Sequence, residues 1–135
     1  MIMNRLHHDD EDGFTLIELL VVIIIIGILA AIAIPTFLVQ RKKGYDAEVK
    51  SDLRNAATAE ETYLNDFFRY TNDPTELVNE GWKPSSGNTS LLVISLTNNT
   101  VNDAAGSYCV SETSRSGKTW YYNSAGGGVS ATACS

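Results

Sequence analysis

Apolar residues are distributed along this chain in three successive ways. From Leu19 to Ile34 they run without a break, sixteen residues counting Gly27. The wider stretch Phe14 to Leu38 is long enough to span a bilayer with some tilt. Between Val49 and Phe67 apolar or small residues return every three to four positions, at Val49, Leu53, Ala56, Ala57, Tyr63, Leu64 and Phe67. Asp46, Glu48, Lys50, Asp52, Arg54, Glu60 and Glu61 fall mostly on the other side, which is the pattern of an amphipathic helix. Beyond residue 90 the runs are short and alternating.

These patterns predict one helix from Phe14 to about Leu64. Pro35 should kink it by removing a hydrogen bond, and Gly44 is a weak point. Residues 65–90 read as a loop broken by Asn72-Asp73-Pro74 and Pro84-Ser85-Ser86-Gly87-Asn88, with a helical turn expected over Pro74 to Asn79. Three strands follow, at 91–97, 107–113 and 118–124, separated by turn signals and consistent with an antiparallel meander. The AGGG run at 125–128 reads as a flexible link to the tail. The expected fold is therefore α+β: a long N-terminal helix, hydrophobic then amphipathic, packed on a small antiparallel sheet.

The 135 residues carry a net charge of −6. Arg5 against Asp9, Asp10, Glu11 and Asp12 makes the first thirteen residues acidic. No basic stripe marks a nucleic-acid surface, and direct nucleic-acid binding is not expected. The short run Arg41-Lys42-Lys43 is the one basic cluster. The soluble part, roughly 90 residues, is of a size that often needs a staple. The two cysteines, Cys109 and Cys134, allow one pairing. A disulfide between them would anchor the C-terminal tail and implies an oxidising space. The alternative is two unrelated buried thiols.

Catalysis finds little support. Both histidines, His7 and His8, lie in the first eight residues, and a disulfide would occupy both thiols. No carboxylate pair stands out from the helix-surface acids. Ser116-Gly117-Lys118-Thr119 lacks the earlier glycine of a phosphate-binding loop and sits in a hairpin turn. After Asp103 the only acid is Glu112, which offers a calcium ion little. No enzyme activity, cofactor or metal is expected.

One residue conflicts with the membrane reading. Glu18 sits inside the apolar block, where a charge at the bilayer centre costs about 2.5–3.5 kcal/mol on insertion scales. Gly13-Phe14-Thr15-Leu16-Ile17-Glu18, followed by the apolar run with Gly27 and Pro35, resembles the processing site and hydrophobic helix of type IV pilins and their relatives. The resemblance implies a leader over residues 1–13, removed by a prepilin peptidase that cuts between Gly13 and Phe14 and methylates the Phe14 amine. It implies a membrane-spanning and filament-core helix over 14–38, an amphipathic half over 39–64, and an αβ-loop, sheet and disulfide loop over 65–135. The partners implied are further copies of the chain, the peptidase, the membrane and the inner-membrane pilus assembly machinery. The localisation implied is a single pass in the cytoplasmic membrane, leader inside and C-terminal part outside, then a surface pilus.

Physical chemistry fits that role for Glu18. Cutting after Gly13 creates an α-amine with a reference pKa of about 7.7–8.0, cationic at neutral pH. In an apolar filament core, that amine and Glu18 are costly alone; paired across subunits, they fix register. An ordinary signal peptide cut near Ala31-Ile32-Ala33 leaves Glu18 and the acidic start unexplained. An anchored domain that never assembles is the other plain alternative. Two features depart from the family. Pilin leaders commonly carry Lys or Arg beside the cleavage glycine, not Asp9 to Asp12. The positive-inside rule would also place Arg41 to Lys43 in the cytoplasm, opposite to the family topology and to the disulfide.

Within the family the chain is most like a major type IV pilin. The alternatives are a pseudopilin of a type II secretion system, which typically binds calcium through C-terminal acids absent here, and a minor or competence pilin. An electron-conducting filament would need closely spaced aromatics; Phe14, Phe37, Tyr45, Tyr63, Phe67, Phe68 and Tyr70 are more simply packing residues.

Overall fold

The fold is seen in a computed structural model whose described residues are 13–85, 92–97 and 106–134. The acidic run, both histidines and the start of the strand expected at 91 lie outside them. The chain divides into two units, meeting in sequence at Leu38 and Val39.

Helix α1 is assigned without a break from Leu16 to Phe67. It starts two residues later than the apolar pattern suggested, because Thr15 caps it. The Thr15 Oγ1 accepts the Glu18 N–H at 3.2 Å, satisfying one of the orphan donors of the first turn. At Pro35 the ring cannot donate to the carbonyl one turn back, yet the helix continues. One residue on, the Thr36 hydroxyl donates to the Ile32 carbonyl at 3.1 Å. The helix ends three residues later than expected, at a left-handed residue. Phe68 has φ 56°, and its N–H donates to the Leu64 carbonyl at 2.8 Å. Glycine usually fills that position.

In the second unit α1 buries Val49, Leu53, Ala56, Ala57, Ala59 and Tyr63. Leu77 and Trp82 from the following segment, and Leu92, Tyr108 and Val110 from the sheet, complete the core. Helix α2, Pro74–Asn79, has proline in its first turn and Asp73 as its cap, whose carboxylate accepts the Thr75 N–H at 2.8 Å. The sheet contains β1 (Leu92–Thr97), β2 (Ser107–Thr113), β3 (Thr119–Asn123) and β4 (Val129–Ser130), paired in sequence order. All three pairings are antiparallel, with Ile94 opposite Val110, Val110 opposite Tyr122, and Tyr122 opposite Val129.

Three expectations need correction. The AGGG segment is not a slack link. Gly127 and Gly128 take φ values of 62° and 104°, open to glycine without cost. The Asn123 side chain and carbonyl accept the N–H groups of Ala125 and Gly127. The chain therefore turns back and adds β4 to the sheet edge. Second, Asp52 and Glu60 are not on the wet side of α1; they are 1% and 0% exposed. Third, Phe67, counted among the apolar positions of the amphipathic half, is 47% exposed.

Candidate assembly site

Among the described residues, the first unit presents an apolar helix whose surface is left exposed. Every large apolar residue from Phe14 to Val39 is at least 44% exposed. The helix is long and apolar enough to cross a membrane. So large an exposed apolar surface marks an interaction face, lipid or other helices.

At its start the local sequence sets the geometry of the processing motif. Thr15-x-x-Glu18 is the spacing of a capping box. The cap holds the helix boundary at Leu16, so Gly13, Phe14 and Thr15 remain non-helical. Phe14 is 85% exposed. A methyl group at Gly13 would meet nothing within 4 Å, so packing within the subunit makes no demand for glycine there. The Gly13-Phe14 bond therefore lies outside the helix, in an exposed segment. Glu18 lies in the first turn, exposed, where a carboxylate also complements the helix dipole. The sequence reading missed this capping function of Thr15, although the T-x-x-E spacing announces it.

Gly27 and Pro35 both lie within α1. Gly27, like Gly13, has open space where a Cβ would stand. The structure thus gathers Gly13, Phe14 and Glu18 at the start of α1 and leaves Gly27 and Pro35 further along it.

In the second unit Cys109 and Cys134 are disulfide-bonded, with Cα atoms 6.1 Å apart. The bond ties the tail beyond β4 to β2. Three buried carboxylates in this unit were not legible as such. Asp52 accepts both the Ser85 N–H at 2.8 Å and the Ser85 hydroxyl at 2.6 Å. Its carbonyl accepts the Trp82 indole N–H at 3.1 Å. It therefore pins the segment after α2 to α1. Glu60 accepts the Thr71 N–H at 3.1 Å through Oε2, while Oε1 has no partner. Burial raises its pKa to about 7, and the neighbouring Glu61 charge adds to this. Glu112 is 3% exposed with Oε2 unpartnered. Burial raises it also to about 7, assisted by Asp52 and Glu48. Among the described residues no group of three metal-ligating side chains occurs.

Residues 10–34 match the family model described as the prokaryotic N-terminal methylation motif. The chain is 38% identical over 109 residues to the type IV wide pilus major component PilA4 of Thermus thermophilus, covering 81% of this chain and 78% of that protein. It is 42% identical over 76 residues to the type IV major pilin protein PilA of Myxococcus xanthus, covering 56% of this chain but only 33% of the relative. It is 38% identical over 60 residues to the type II secretion system core protein G of Pseudomonas aeruginosa, covering 44% of this chain and 42% of the relative. The likeness to core protein G takes in less than half of either chain, whereas the likeness to PilA4 takes in most of both. With that match and the methylation motif at its start, the chain belongs to the type IV pilin family.

Proposed function

We propose that this chain is the structural, filament-building subunit of a type IV pilus, made as a membrane-inserted precursor. The leader, residues 1–13, is removed by a prepilin peptidase that cuts between Gly13 and Phe14, and the Phe14 amine is N-methylated. The precursor crosses the cytoplasmic membrane once, leader inside and the Val39–Ser135 part outside. The inner-membrane assembly machinery then transfers α1 from lipid into a homopolymer of this chain, which reaches the cell surface. The subunit itself catalyses no reaction in this scheme and holds no cofactor.

The observation that carries this reading is the wholly exposed apolar half of α1, preceded by an accessible Gly13-Phe14 bond and interrupted by one charge, Glu18. An apolar surface of that kind is stable only against lipid or against other helices, and a filament subunit needs both in turn. Glu18 then costs little in the precursor, where it lies in the capped first turn. In the filament it answers the new amine of an adjoining Phe14. The reading as a secretion pseudopilin is less supported: the core protein G relatives match over less than half of their length.

Replacing Glu18 by Val separates insertion from assembly. Glu18→Val should insert and be cut after Gly13 as before, because the scissile pair is intact. It should be depleted from sheared filaments, because an unpaired amine enters an apolar core. Glu18→Asp should be intermediate. Normal filament content in Glu18→Val would remove the register role, and filaments whose subunits begin at Met1 or Ile34 would remove the pilin processing scheme.

A further inference from the structure

The second unit is electrically lopsided. Of the nine Lys and Arg residues after Gly13, six lie in the segment 41–50 or in the β2–β3 hairpin at 115–118. The structure brings cations from the two segments onto the same aromatic rings. The Arg41 and Arg115 guanidinium carbons stand 5.5 Å and 4.4 Å from the centre of the Tyr45 ring. Arg41 Nε also donates to the Tyr45 hydroxyl at 2.6 Å. The Lys50 and Lys118 ammonium groups stand 3.8 Å and 4.4 Å from the centre of the Trp120 ring.

The hairpin is fixed in this position. Arg115 pairs with Glu48 at 2.6 Å and the Ser116 hydroxyl donates to Asp46 at 2.5 Å. The turn itself closes through Ser114 N–H to Lys118 O and Gly117 N–H to Ser114 O. Among the described residues Arg115–Glu48 is the only ion pair. Arg41, Lys50 and Lys118 thus converge without a carboxylate in ion-pair contact, and Lys42 and Lys43 are exposed beside them. Asp46 and Glu48 lie in the same surface, Asp46 near Lys118, but six cations against two carboxylates leave it with an excess of positive charge gathered on two half-buried aromatic rings.

We infer that this surface, Arg41 to Lys43 together with Arg115 and Lys118 around Tyr45 and Trp120, engages the phosphate headgroups of anionic lipids while the subunit awaits assembly. The choice of lipid follows from chain position. Arg41 comes two residues after Val39, the end of the N-terminal run of exposed apolar residues, on an uninterrupted helix. At 1.5 Å per residue that is about 3 Å further along the axis. Cations that follow an apolar span in the chain, with Tyr and Trp rings among them, are the composition of a membrane interface. The guanidinium forks suit phosphate oxygens. This also accounts for basic residues on the side that the positive-inside rule disfavours: there they hold the outer face of the bilayer. The hairpin's share is the new element, since Arg115 and Lys118 are nearly eighty residues away in sequence from the span.

The inference rests on the proposed insertion of the apolar half in a bilayer, so the test reads insertion separately. The full chain is reconstituted into phosphatidylcholine vesicles carrying trace spin-labelled phosphatidylglycerol or phosphatidylcholine, and lipid immobilised at the protein is measured. Failure to reconstitute would count against the membrane reading itself. With the chain inserted, phosphatidylglycerol should be preferred, and the preference should decline with salt. Arg115→Gln/Lys118→Gln should lower it by up to about five-fold per cation, as should Lys42→Gln/Lys43→Gln. Equal immobilisation of the two lipids would overturn the proposal. So would an unchanged preference in Arg115→Gln/Lys118→Gln, including the case where that variant loses only self-association, which would make the patch a subunit contact. Inorganic phosphate should act no differently from chloride at matched ionic strength; selective displacement by phosphate would indicate a free-anion site instead.

Discussion

Replacing Glu112 by Gln tests the most unusual feature of the second unit, a carboxyl inside the helix–sheet packing. Glu112 lies on β2 between Leu92 of β1 and Trp120 of β3, with Asp52 and Glu48 of α1 as its charged neighbours. Its pKa rises from 4.5 to about 7 because burial disfavours the ionised form, and Glu60 does the same. A raised folded-state pKa means that the folded subunit binds the proton more tightly than the unfolded chain. Each group's contribution is therefore fully present below pH 4.5 and is lost as pH rises through about 7. Moving one carboxyl that far corresponds to something on the order of 3 kcal/mol. The wild type should be more resistant to denaturant at pH 5 than at pH 8. Glu112→Gln keeps the size and neutrality of the protonated acid at every pH, so it should be near neutral at pH 5. At pH 8 it should gain roughly 1–3 kcal/mol. The assay is urea unfolding of the full chain in detergent, followed through Trp82, which is buried at 2% exposure and hydrogen-bonded to α1. A wild-type midpoint that does not move between pH 5 and 8, or a variant with the wild-type slope, would refute the reasoning.

Three further outcomes are expected. Cys134→Ser should cost roughly 3 kcal/mol in the same unfolding assay and reduce surface filament, since β4 and the tail lose their tie to β2; equal stability would show that the tail needs no anchor. Phe68→Gly should stabilise the second unit by about 1 kcal/mol, because a left-handed residue with φ 56° and 60% exposure has more to gain from glycine than to lose from its side chain; a lower melting temperature would contradict this. The α1 segment from Gly27 to Pro35 should loosen in the filament, glycine costing about 1 kcal/mol and proline about 3 in a helix interior; a filament map with straight helix through Pro35 would contradict it.

The processing motif and the long helix were legible because their signals are local: an unbroken apolar run, then a period of three to four. The same holds for α2, where Asp73-Pro74 supplies both cap and first turn, and for β2, where alternation puts Tyr108, Val110 and Glu112 on one face. What escaped was set by distant partners. Asp52 and Glu60 read as surface acids by residue type, although a helical projection puts Glu60 within the apolar stripe and Asp52 at its edge. Their burial depends on Ser85 and Thr71, 33 and 11 residues away. β4 escaped because two residues carry no period, and the glycines before it read equally as slack and as a turn. Only the pairing of Val129 with Tyr122 decides between them.

The positions of the charges that escaped explain what the visible ones alone do not. A filament subunit must keep its second unit folded while its first half changes surroundings from lipid to protein. On α1 the apolar contribution to the core comes partly from small residues, Ala56, Ala57 and Ala59, beside Val49 and Leu53. Asp52 and Glu60 add directional ties to that core, each holding a loop segment to the helix by a bond to a specific N–H group. Such bonds gain little net energy, but breaking one leaves a buried charge without a partner, which costs far more. Ties of that kind select one arrangement of loops over α1 rather than many of similar energy. Glu18 follows the same logic in the first unit under the proposed function: an acid that is costly when alone permits only the register that supplies its partner.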